Sequence, residues 1–214
     1  MTLKLYCFAE SGNAYKAALA LHLTGLDWTP VFVDFFKGET RTSEFRALSV
    51  MGEVPLLADG DTMLSQSGVI LDYISSKTGK LGGTSAEERR EVLRWMFFDN
   101  HKVSGVAGPL RFIMNFLPEE KRNADVIGFM SGRLAAALDI LNTGLEGRDW
   151  LVGNGLTVAD ISCAGYLYYP EPFTFTRTDY PNIDRWLTHI ASTPGWQHPY
   201  DLMPAPTAGQ DTRS

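Results

Sequence analysis

The chain has 214 residues, of which 44% are hydrophobic and 21% charged, and it carries a formal net charge of −6. That length buries a sizeable core as one large domain or two smaller ones, and an acidic balance with no basic tract argues against nucleic acid, whose phosphates need a basic face. The unbroken apolar runs are only a few residues long, far short of the roughly 18–20 needed to span a bilayer, so no membrane partner is expected.

The opening MTLKLYCF reaches Glu10 and Ser11 without the long apolar core of a signal peptide, which points to a cytoplasmic location. Residues 3–6 read as a short buried strand and 13–23 as an amphipathic helix closed by Gly25. A β-rich alternation over 28–35 follows, then a short helix over 42–48. The stretches 56–58 and 62–64 flank Asp59-Gly60-Asp61, a hairpin signal. A helix from 65 to about 76, capped by Ser65 or Ser67, completes the order βαβαββα over a first domain of residues 1–77. Such a unit forms a small mixed sheet covered by helices.

Residues 78–85 are glycine-rich and aperiodic, the pattern of a linker. Beyond them no strand pattern appears, and 86–203 read as an all-helical domain with helices over 87–117, 123–141, 157–169 and 181–192. Pro109 is expected to kink or split the first of these. Thr157 and Asp160 have the spacing of a capping box, a structural role. Residues 204–214 lack periodicity and are expected to fray.

Cys7 and Cys163 are too few and too separated for a disulfide framework and read as buried reduced thiols. His22, His189 and His198 show no ligand spacing, so neither metal nor cofactor is implied.

The most telling stretch is Val54-Pro55 followed by Gln66-Ser67. A proline entering a strand belongs at its first residue or an edge, and its X-Pro bond is the type that readily becomes cis. That leaves the peptide groups of Val54 free to pair with another peptide. The unpaired N–H groups at the following helix start attract an anion. Together they suit a short anionic peptide.

Three motifs are similar to those of the cytosolic glutathione transferase family: Ser11-Gly12-Asn13-Ala14-Tyr15-Lys16; Gly52-Glu53-Val54-Pro55 with Gln66-Ser67; and Leu156-Thr157-Val158-Ala159-Asp160. The resemblance covers nearly the whole chain. It implies a thioredoxin-like α/β domain, an all-α domain and a homodimer with a glutathione site in each subunit's cleft. It also resembles the theta, zeta and related bacterial branches, in which a serine holds the glutathione thiolate.

On that resemblance Ser11 is the expected thiolate donor, with Asn13 sharing or replacing it. The competing role for Ser11 is a plain helix cap. Tyr6 is the rival donor used by other branches, although its place in an apolar strand favours packing. Cys7 is displaced from the position where cysteine-dependent branches carry their nucleophile. Val54 and Pro55 are expected to pair with the cysteinyl backbone, and Gln66 and Ser67 to hold the γ-glutamyl end. Glu53 departs from the basic or neutral residue usual before this valine, leaving Lys37 or Arg41 for the glycine carboxylate.

Asn100, Val103, Ser104, Ala107 and Arg111 recur at three or four residues and are candidates to line an electrophile site. The polar run Asp99-Asn100-His101-Lys102 is a candidate site or interface. The aromatics Trp95, Phe97, Phe98, Tyr166, Tyr168 and Tyr169 exceed what one helix face needs, so a core role competes with an interface or apolar pocket. The expected activity is conjugation of glutathione to small hydrophobic electrophiles. Two alternatives use the same fold: glutathione-dependent peroxide or disulfide reduction, and a non-catalytic interaction module.

Overall fold

The structure, a computed structural model, describes residues 2–205; most of the tail expected to fray lies outside them. Four strands, β1 (Leu3–Cys7), β2 (Trp28–Phe32), β3 (Leu56–Asp59) and β4 (Thr62–Ser65), form one sheet in the order β2-β1-β3-β4. The β1–β2 pair is parallel, with Tyr6 opposite Val31, whereas β1–β3 and β3–β4 are antiparallel. Pro30 sits in β2, an edge strand, where its missing N–H removes no ladder bond on the open side. Helices α1 (Gly12–Thr24), α2 (Ser43–Leu48) and α3 (Ser67–Thr78) complete a thioredoxin-like βαβαββα unit.

The helical half contains α4 (Ala86–Phe98), α5 (Ser104–Asn115), α6 (Ala124–Gly144), α7 (Val158–Ala164), α8 (Pro181–Ala191) and the short α9 (Pro199–Leu202). Leu5, Leu19, Ile70 and Leu71 of the first unit and Leu110, Leu138, Trp186 and Leu187 of the second share one continuous core. Gly12 lies against Tyr166, and a Cβ there would meet the ring at 2.6 Å. A side chain at that point would push the two halves apart.

The break in the long helix falls elsewhere than expected. Pro109 remains inside α5, on its exposed face, where the carbonyl of Gly105 that it leaves unpaired is open to water. The interruption is a π-turn over Asp99–Val103, in which the Ser104 N–H bonds the Asp99 carbonyl. The helix expected over 157–169 ends at Ala164. The cap of α3 also differs: Gln66 occupies that position with φ 70°, and no side chain caps the helix.

Asp160 has no solvent exposure and accepts four hydrogen bonds: from the N–H and hydroxyl of Thr157, both at 2.9 Å, from Leu151 N–H at 2.8 Å, and from Trp186 Nε1 at 3.0 Å. It joins the start of α7 to the preceding loop and to α8.

Candidate active site

Three chain segments converge at one end of the sheet. The register Tyr6–Leu56 places Val54-Pro55 beside the end of β1, and Leu56–Ser65 places Gln66 across from Pro55. The loop leaving β1 turns with Ser11 N–H donating to Phe8 C=O at 3.1 Å and enters α1.

Ser11 is the N-cap of α1, and its Oγ accepts from Ala14 N–H at 3.2 Å. Capping engages an oxygen lone pair, whereas thiolate binding needs the hydroxyl proton. The two roles are therefore compatible. Asn13, half-buried, has Oδ1 occupied by Lys16 Nζ at 3.0 Å and by a longer contact from Ser67 Oγ at 3.4 Å. Its Nδ2 has no partner among the described residues and is not one of the buried unpaired atoms, so it lies on the accessible side.

The Val54–Pro55 bond is cis, and among the described residues neither the N–H nor the C=O of Val54 has a backbone partner. Gln66 adopts φ 70°, ψ 116°, a backbone that costs a non-glycine residue of order 1–3 kcal/mol and typically marks a functional turn. Its Nε2 faces Met51 Sδ at 3.0 Å and Glu53 Oε2 at 3.3 Å. Ser67 begins α3 and is buried beside Asn13. Thus Ser11, Asn13, Val54, Pro55, Gln66 and Ser67 share one site, with Glu53 at its rim.

Tyr6 packs edge-on against Phe45, ring centroids 6.4 Å apart. Lys37 is paired with Asp34 at 3.3 Å, and Arg41 is exposed. Burial pushes the Cys7 thiol up to about 12 and the Cys163 thiol well above its ordinary value. At pH 8 about 10⁻⁴ of Cys7 is then thiolate, the reactive form. An aromatic disulfide reagent at that pH is expected to label neither cysteine in the native protein and both after unfolding. Rapid native labelling of either would contradict this burial.

Of the residues expected to line an electrophile site, Asn100 is exposed, whereas Val103 and Ala107 are fully buried in the core. The Ser104 hydroxyl is engaged with Asp99 and Lys16. Arg111 is buried, bonding Glu171 Oε2 at 2.6 Å and Glu10 C=O at 2.7 Å, with its guanidinium 3.9 Å over the Tyr169 ring. It thereby holds the loop that presents Ser11.

The apolar wall near Ser11 is built from other residues. Phe8 stacks on Phe35 at 4.8 Å and meets Phe36 edge-on; Phe35 contacts Phe112 at 6.2 Å, and Phe36 contacts Phe116 at 5.2 Å. These rings bridge the two halves, and Phe36 is 46% exposed. The i, i+4 pair Phe112/Phe116 was visible in the sequence, but its partner face was not. Asp99, of the polar run 99–102, forms a fully buried ion pair with Lys16, and Tyr166 packs over Gly12; neither contact was foreseen from the sequence.

Comparison with known proteins places these features in a family. The model "Glutathione S-transferase, N-terminal domain" matches residues 1–76 and "Glutathione S-transferase, C-terminal domain" matches 112–194. Glutathione S-transferase 3 of Zea mays is 31% identical over 95% of this chain and 96% of its own length. Disulfide-bond oxidoreductase YfcG of Escherichia coli is 29% identical over 87% and 89%, respectively. The structure of a glutathione transferase from Burkholderia graminis, with two glutathione molecules bound per subunit, superposes with a TM-score of 0.81 at 27% identity, covering 91% of this chain and 85% of that one. With its thioredoxin-like sheet, its helical second half and these relatives, the chain belongs to the glutathione S-transferase family of enzymes.

Proposed function

We propose that this protein binds glutathione across the starts of α1 and α3, stabilises its thiolate with Ser11 and Asn13, and adds it to small hydrophobic electrophiles. The observation that carries this reading is the pair of uncommitted donors, the Ser11 hydroxyl and Asn13 Nδ2, at one helix N-terminus beside the free peptide of Val54. A helix N-terminus and hydrogen-bond donors favour an anion at the sulfur. Val54 pairs with the cysteinyl backbone, while Gln66 and the first N–H groups of α3 take the γ-glutamyl carboxylate. The Phe8, Phe35, Phe36, Phe112 and Phe116 rings receive the apolar electrophile. The thiol proton passes to solvent as the thiolate forms, and the sulfur then bonds to the electrophile's carbon; with an aryl halide the carbon–halogen bond breaks and halide leaves with its electron pair.

We take residues 1–77 as the glutathione-binding unit and 86–203 as the helical one. A homodimer belongs to the same reading, supported by Leu93 and Phe97, one turn apart on α4 and 44% and 72% exposed. A cytoplasmic site of action fits a substrate of this kind. Disulfide reduction is a second reading, favoured by the relative YfcG. With both cysteines buried, two glutathione thiols would supply the electrons and leave as oxidised glutathione.

An immobilised-glutathione column followed by turnover assays separates these readings. Retention, a mass twice that of the chain by light scattering, and conjugation of an aryl halide are expected, with Gln66→Ala about tenfold weaker in glutathione binding. Turnover of a model disulfide alone selects reduction, and retention without turnover selects an interaction module. No binding at millimolar glutathione would sink both enzymatic readings.

A further inference from the structure

The buried cluster beneath Asn13 is unusual in its composition. Lys16 is 1% exposed, and its ammonium makes three contacts: Asp99 Oδ2 at 2.6 Å, Ser104 Oγ at 2.6 Å and Asn13 Oδ1 at 3.0 Å. A lysine ammonium has three donors and no acceptor, so all of its protons are used. Asp99 in turn accepts from Ser104 Oγ at 2.7 Å and Ser162 Oγ at 2.6 Å. The π-turn makes this possible. Its i→i+5 bond brings Asp99 and Ser104 together, whereas five residues along an ordinary α-helix would face different directions. The lysine shaft runs past Gly165, where a Cβ would meet Lys16 Cε and Cγ at 2.6 Å.

We propose that Lys16 is a positioning residue for thiolate stabilisation: by engaging Asn13 Oδ1 it compels the carboxamide to turn Nδ2, the donor, toward the glutathione sulfur. This rests on the thiolate reading above. The opposite amide rotamer would set two donors face to face in a buried site and leave the ammonium one acceptor short. Asp99 balances the Lys16 charge at 2.6 Å, so the effect on the sulfur works through orientation rather than through net charge. The other groups facing Lys16 are the Tyr166 ring, 5.9 Å from Nζ, and the buried Cys163 thiol. Asp99, Ser104 and Ser162 belong to the helical half, so docking of that half sets a donor in the glutathione-binding half.

The test is a double-mutant cycle read on the pKa of bound glutathione's thiol, from the ultraviolet absorbance of its thiolate against pH. Lys16→Met alone strands Asp99 and threatens folding, so the working variant is Lys16→Met with Asp99→Leu, which replaces a buried ion pair by apolar groups of comparable size. Lys16→Arg retains donors and serves as the conservative rescue. The double replacement is expected to raise the thiol pKa by about one unit, a tenfold loss of thiolate below that pKa, with glutathione affinity changed less than threefold. In an Asn13→Ala background the same replacement is expected to add nothing, and Lys16→Arg to restore part of the shift. If Asn13→Ala raises the pKa but the Lys16 replacement does not, or if its effect persists without Asn13, the positioning role is overturned. If Ser11→Ala with Asn13→Ala leaves the pKa unmoved, the thiolate reading itself falls.

Discussion

Asp160→Ala should lower the unfolding free energy by about 4 kcal/mol or more, because it strands four buried donors at once: Leu151 N–H, Thr157 N–H and hydroxyl, and Trp186 Nε1. Each orphaned donor costs about 1–3 kcal/mol, although water entering the new space recovers some of the sum. Domains are stable by about 5–15 kcal/mol, so this one change would consume a large share of the total. Asp160→Asn keeps the shape and one acceptor oxygen but turns an NH₂ toward two of the donors. Burial also pushes the Asp160 carboxyl above its ordinary pKa, a cost of ionisation that the neutral amide escapes. About half the loss is therefore expected for Asn. Urea midpoints at constant m-value measure both, and a loss below about 1.5 kcal/mol for Asp160→Ala would show that the cluster is not a keystone.

The second large effect concerns catalysis. Lowering a thiol pKa from about 8.5 by two units takes roughly 2.7 kcal/mol of preferential anion binding. Hydrogen bonds to a charged group supply about 1.5–3 kcal/mol each, so Ser11 and Asn13 are together sufficient. Replacing both by alanine should raise the bound thiol's pKa by about two units and reduce kcat/KM near pH 6.5 roughly 100-fold, with most of the activity regained at alkaline pH. Each single variant should lose about tenfold. Ser11→Ala should also cost about 1 kcal/mol of stability through the lost cap, whereas Asn13→Ala has no cap to lose. A pH–rate profile superimposable on that of the parent would eliminate both residues as thiolate donors.

Much of this was legible in sequence because it is local. Pro55 before Leu56, the Asp59-Gly60-Asp61 turn and the cap signals at Thr157 and Asp160 act within a few residues, and the structure forms β3, β4 and α7 there. The proximity of Val54 and Gln66 was legible for the same reason, since one hairpin brings them together. Pro109 was misleading as a point of splitting: α5 continues through it on an exposed face, and the helix instead opens at 99–103 around the buried Lys16–Asp99 pair. The surroundings of α5 were equally obscure, because i, i+4 spacing identifies a helix face without saying what it meets. Val103 and Ala107 meet core, Arg111 meets Glu171, and the open aromatic wall comes from Phe36 and Phe116 on different halves.

By itself the sequence determined the order βαβαββα, the caps at Ser11 and Thr157 and the turn at Val54-Pro55, all of which follow from short-range backbone preferences. Tertiary structure alone decided that Lys16 finds Asp99 across 83 residues, that Gly12 admits the Tyr166 ring, and which way the Asn13 amide faces. Those outcomes depend on desolvation: a buried ammonium must find every acceptor within reach, and which acceptors are in reach is known only once the two halves have docked.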